Sequence, residues 1–94
     1  MKSVKLFYLE DCPYCHFAKR ALAELKAEKP AYCEIDIKWI EESKEPKVAA
    51  EYDYYYEPTI FYGDKKLYEA HPSEKYADCK ANVKSALDSI LAEK

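Results

Sequence analysis

Glycine occurs once in these 94 residues, at position 63. Turns and helix ends usually recruit it, so loops here must be built from other residues. No apolar run approaches the roughly 20 residues that a membrane helix needs, which excludes a helical anchor. No secretory leader is expected either. Met1-Lys2 is followed at once by a strand-like pattern rather than by an apolar stretch and a small-residue cleavage site. The cytoplasm is therefore the expected location, and the four cysteines do not read as a disulfide framework. There is no excess of positive charge. Fifteen Lys and Arg face 18 Asp and Glu, a net charge of −3, and the two signs are interspersed. That balance argues against nucleic acid as a partner. Repeats, linkers and low-complexity tracts are missing as well.

What is present is an apolar, aromatic composition. Hydrophobic residues make up 49%, which excludes a disordered chain, and ten residues are tyrosine. Residues 1–94 are expected to form one domain with one core. Ser3 to Leu9 runs nearly continuously apolar, as a strand buried on both faces does. Glu10 and Asp11 end it. Pro13 fits the first turn of a helix, and Cys15 to Lys29 follows a helical pattern with Phe17, Ala21 and Leu25 on one face. Pro30 stops it. Ala31 to Ile37 alternates and reads as a second, parallel strand. A polar connection over 41–46 and a short helix from Pro46 or Lys47 follow. Thr59 to Tyr62 and Lys66 to Ala70 read as a hairpin around Gly63-Asp64-Lys65. Ser73 is the expected N-cap of a last helix bearing Tyr76, Val83, Leu87, Ile90 and Leu91. The order β-α-β-α-β-β-α predicts an α/β fold, a four-stranded mixed sheet flanked by helices.

The chemistry concentrates at Cys12-Pro13-Tyr14-Cys15. The two sulfurs are one helical turn apart, within disulfide reach. Cys12 falls at the helix N-terminus, where unpaired backbone N–H groups and the helix dipole favour a thiolate. Such a thiolate attacks a disulfide, and Cys15, deeper and better shielded, resolves the mixed disulfide. A zinc site needs four ligands, and Cys33 and Cys79 stand alone, so no metal site is expected. His16 points to another side of the helix than Cys12. Cys33 and Cys79 are expected to be buried, as small hydrophobes. Trp39 and His71 read as structural.

The strand, the Cys-Pro-Tyr-Cys tetrapeptide, the following helix with Ala18-Lys19, and Pro58 opening the next strand together resemble a glutaredoxin, within the wider thioredoxin fold. The resemblance covers nearly the whole chain. It implies a thiol–disulfide oxidoreductase acting on protein or small-molecule disulfides, with Cys12 and Cys15 catalytic. It also implies that Pro58 is cis and lies against the cysteines, while Glu57 offers backbone groups to substrate. Pro13, Tyr14, with an exposed ring, and Tyr56 complete the expected substrate contacts. Tyr54, Tyr55 and Tyr56 flank this groove, although as a group they are expected to pack on the edge of the core.

Three departures from the glutaredoxin pattern bear on the electron donor. A lysine common in the family is replaced by Leu9. Thr-Val before the proline is replaced by Tyr56-Glu57. A Gly-Gly pair that receives glutathione is replaced by Leu67-Tyr68-Glu69-Ala70, which puts bulk where backbone should approach. Glu10, Asp11 and Glu57 are expected to cluster near Cys12 and repel the carboxylates of glutathione. Residues 49–61 read closer to thioredoxin, whose Trp-Cys-Gly-Pro-Cys is absent. The expectation is a monomer with no bound cofactor, reduced by glutathione weakly or by a thioredoxin reductase-like flavoprotein. The competing class is a non-catalytic binding module, or a metal- or iron–sulfur-binding protein using Cys12.

Overall fold

The computed structural model describes residues 2–93. It places β1 (Lys2–Tyr8), α1 (Pro13–Glu28), β2 (Ile35–Glu41), α2 (Pro46–Ala49), β3 (Thr59–Tyr62), β4 (Lys65–Glu69) and α3 (Tyr76–Ala92) along the chain. The four strands form one sheet in the order β2-β1-β3-β4. β1 runs parallel to β2, from Lys2 opposite Ile35 to Tyr8 opposite Glu41. The other two pairings are antiparallel. The expected mixed sheet is therefore the one observed.

Strand periodicity divides the core in two. Val4 and Leu6 of β1 point to the face covered by α1 and α3, where they meet Ala18, Leu22, Leu25, Val83, Leu87 and Ile90. Phe7 points the other way and joins Ile40, Ala49 and Phe61, with Tyr52 and Tyr54 packed against them. Each fully buried aliphatic or aromatic side chain of this kind contributes about 1.5–3 kcal/mol. The second face has only α2, one turn long, so aromatic rings complete it. Phe7 and Tyr54 stack with centroids 5.1 Å apart, and Tyr52 lies 4.8 Å from Phe61.

Several expectations change in detail. Residues 31–34 are not strand: Pro30–Glu34 forms a 3-10 helix, and β2 starts at Ile35 and runs on through Trp39 and Ile40. Tyr32 is buried and Cys33 exposed, the reverse of the expected placement for that cysteine. The cause is the 3-10 turn, whose three-residue repeat puts Tyr32 on the same side as the buried Ile35, and the Tyr32 hydroxyl donates to Asp88 on α3 at 2.5 Å. Ser73 does not cap α3. Lys75 occupies the N-cap without a side-chain bond, and Ser73 adopts a positive φ of 71° in the turn before it. Gly63, the single glycine, takes φ 63° in the two-residue turn between β3 and β4. Cys79 is buried, as expected.

Candidate active site

The site forms where β1 delivers the chain into α1. Cys12 is the N-cap residue, with an extended backbone, and Pro13 opens the helix. The Cys12 Sγ accepts the backbone N–H of Cys15 at 3.3 Å. An anion at that sulfur meets the positive end of a 16-residue helix. Cys12 is half-buried, whereas Cys15 is buried with 2% exposure. The Cys15 Sγ accepts the N–H of Leu9 at 3.5 Å. Burial, and then its contact with Cys12, push the Cys15 thiol far above the usual range, so it is held protonated. One sulfur is accessible and the other is shielded and within hydrogen-bonding reach of it.

The second wall of the site is the segment before β3. The Glu57–Pro58 peptide is cis and Pro58 is buried. The Cys12 thiol donates to the carbonyl oxygen of Glu57 at 3.5 Å. The same loop is tied down from β4. The Glu69 carboxylate accepts the backbone N–H groups of Tyr55 and Tyr56 at 2.6 and 2.8 Å and pairs with Lys66 at 2.7 Å. Burial works against the Glu69 charge, but these three partners win and lower its pKa. The Thr59 hydroxyl donates to the carbonyl of Tyr56.

Placement of the remaining candidates is mixed. Pro13 is exposed at the start of α1. The Tyr14 ring is half-buried rather than exposed. It leans edge-on to Phe17, and its hydroxyl accepts the N–H of Ser73 at 2.9 Å. Tyr54 packs on the core, while Tyr55 and Tyr56 are 82% and 49% exposed. Glu10 is turned to Lys44, whose Nζ lies 4.0 Å away, and Asp11 is exposed. The bulk expected from Tyr68 is not in the groove. Its ring is buried beneath α3, where the hydroxyl donates to Glu74 at 2.5 Å and lies 3.3 Å from the Cys79 sulfur.

Sequence reasoning missed Glu42. It follows β2 directly, with its N–H donated to Tyr8 at 2.9 Å, and its carboxyl comes within hydrogen-bonding reach of the Glu57 carboxyl. Tyr54 donates its hydroxyl to Glu42. Burial, followed by the Glu42 contact, pushes Glu57 up to about 7. The available signal was topological: residues just past the C-terminal ends of parallel strands line sites in open α/β sheets. Among the described residues, no group of three or more His, Cys, Asp and Glu side chains converges as a metal site would need. No helix there is long and apolar enough to cross a membrane.

Comparison with known proteins agrees with this geometry. A glutaredoxin family model matches residues 4–67, more than half of the chain, and ends within β4. A solved structure described as that of a malarial protein shares 18% identity with the chain. The match covers 90% of this chain and 96% of the other, with a TM-score of 0.58, and at that identity the likeness is one of fold. A search of curated proteins returns no significant match.

Proposed function

The chain belongs to the glutaredoxin family, and from that premise we propose that it is a dithiol thiol–disulfide oxidoreductase working through Cys12 and Cys15. The observation that carries this reading is an accessible Cys12 at a helix N-cap, against the cis Glu57–Pro58 loop, with a shielded thiol one turn deeper. The Cys12 thiolate attacks one sulfur of a substrate disulfide. The substrate S–S bond breaks, its other sulfur leaves as a thiolate and takes a proton from water, and a mixed disulfide forms. Cys15 then attacks the Cys12 sulfur, and its proton passes to the departing substrate sulfur. The intramolecular disulfide forms and the second substrate thiol departs, so the dithiol has supplied two electrons.

The protein or small-molecule disulfide stands against Tyr56, Glu57 and Pro58, with Pro13 and Tyr14 at the other lip. Two molecules of glutathione or a thioredoxin reductase-like flavoprotein restore the dithiol. Leu9 in place of a cation and the acid at Glu57 favour the flavoprotein and leave glutathione a weak donor. We place the reaction in the cytoplasm, where reduced thiols are maintained, and assign it to a monomer.

Turnover of insulin or a small disulfide with each donor tests the reading. Activity lost in Cys12→Ser is the expected result. A Cys12→Ser protein that still reduces the disulfide overturns it, and efficient turnover with glutathione overturns the assignment of the donor.

A further inference from the structure

The loop that touches the nucleophile carries features the redox step itself does not need. Tyr55 and Tyr56 are the large hydrophobic side chains left exposed in the described residues. They immediately precede Glu57, whose carbonyl receives the Cys12 thiol at 3.5 Å. Their display is fixed, since both backbone N–H groups are held by Glu69. Two aromatic faces are thus presented on an anchored loop next to the sulfur that a substrate must reach.

Charge beside this platform is uncompensated. Glu42 and Glu57 bring their carboxyls together, yet neither takes part in an ion pair among the described residues. Tyr54 satisfies Glu42 with a neutral hydroxyl only. The lysines around the loop already have partners, and Lys66 is taken up by the carboxylate that anchors the loop. Lys44 faces Glu10, Lys66 holds Glu69 and the Asp53 carbonyl, and Lys19 lies 5.0 Å over the Tyr8 ring. A positively charged side chain arriving with the substrate meets both demands at once. It relieves the repulsion between two carboxylates and lies on an aromatic face, where cations are held.

We propose that this face selects its substrate by charge, and that the occupant is a segment of a disulfide-bonded protein or peptide carrying Lys or Arg next to the reacting cysteine. Tyr55 and Tyr56 contact that cationic side chain, and Glu57 with Glu42 receives its charge. The proposal deepens the redox reading and rests on it, because Cys12 must exchange with the bound disulfide. The groups facing Glu57 are Glu42, Tyr54, Glu69, Cys12 and Cys15, none of them cationic. With Glu57 pushed up to about 7, its carboxyl is mostly charged at pH 8.

The experiment compares two disulfide-linked peptides, identical except for Lys or Glu on either side of the cysteine, reduced by the full chain at pH 8. The ratio of their kcat/KM values cancels any general loss of activity in a variant. In the native chain we expect about a 10-fold preference for the Lys peptide at low ionic strength, shrinking at 0.5 M salt as screening shortens the reach of the charges. Glu42→Gln and Glu57→Gln together should bring the ratio to about 1–3, and Tyr55→Ala should lower it less. Equal kcat/KM for the two peptides in the native chain overturns the proposal, and so does a preference that survives the double substitution. If neither peptide is reduced at all, the redox reading fails and this proposal falls with it.

Discussion

Glu69 accepts the backbone N–H of Tyr56 at 2.8 Å, and through that bond β4 positions the loop that touches Cys12. The same carboxylate oxygen holds Tyr55, so one side chain satisfies two adjacent backbone donors. Hydrogen bonds to a charged acceptor are worth about 1.5–3 kcal/mol each. Most of the cost of removing them should appear in the loop rather than in the core. Glu69→Ala is expected to lower kcat/KM by about 10-fold while stability falls by about 1–2 kcal/mol. Unchanged turnover in that variant, measured alongside urea unfolding, would show that the loop holds its shape without Glu69.

The burial of the four thiols predicts a labelling pattern. Cys12 is half-buried and Cys33 exposed, while Cys15 and Cys79 are buried, and burial raises the pKa of both. Thiolates, not thiols, react with iodoacetamide. Mass spectrometry of the native protein after brief treatment should find two labels, on Cys12 and Cys33. On the proposed dithiol cycle, Cys15→Ser should accumulate the mixed disulfide between Cys12 and substrate, because that cycle gives Cys15 the resolving step. Rapid label on Cys15 would contradict the shielding described above.

Glu57 makes stability depend on pH in a known direction. The fold raises its carboxyl from 4.5 to about 7, chiefly by burial and then by Glu42. The folded state therefore binds the proton more tightly than the unfolded chain does. The benefit is complete below pH 4.5 and is lost as pH rises through 7. Glu57→Gln keeps the shape without the charge. It should stabilise the protein at pH 8 by on the order of 1 kcal/mol, a value discounted for the group's partial exposure, and should have little effect at pH 4. Urea midpoints at the two pH values measure this, and an equal effect at both would refute the coupling.

Beneath α3, Tyr68 donates to a Glu74 carboxylate that is 3% exposed. Asn82 at 3.4 Å and the exposed His71 at 3.8 Å complete its surroundings. Tyr68→Phe removes the hydroxyl and leaves a buried acceptor short of one donor. It should cost about 1–3 kcal/mol, read by chemical unfolding. Reduction of a small disulfide should change little, because the partners of the Tyr68 hydroxyl are Glu74 and Cys79 rather than Cys12 or Cys15.

By itself the sequence determined the elements whose signals are local. Val4 to Phe7 carry their strand in their own side chains, Pro13 starts α1, Pro30 ends it, and Gly63 marks the hairpin. The spacing of Cys12 and Cys15 placed both sulfurs on one helical turn, and the glutaredoxin resemblance pointed to Pro58. Tertiary structure decided what depends on partners far along the chain. Between Pro30 and Ile37 the alternating pattern reads as one strand, but the first part forms a 3-10 helix whose three-residue repeat puts Tyr32 and Ile35 on the buried side. The Tyr32 ring joins the apolar cluster, its hydroxyl donates to Asp88, 56 residues on, and Cys33 is left outside. Glu42 and Glu57 come from separate loops and meet only because β2, β1 and β3 lie side by side. The placement of neighbours in sequence was legible, whereas the charge, burial and anchoring around the two cysteines arise from contacts that only the closed sheet brings together.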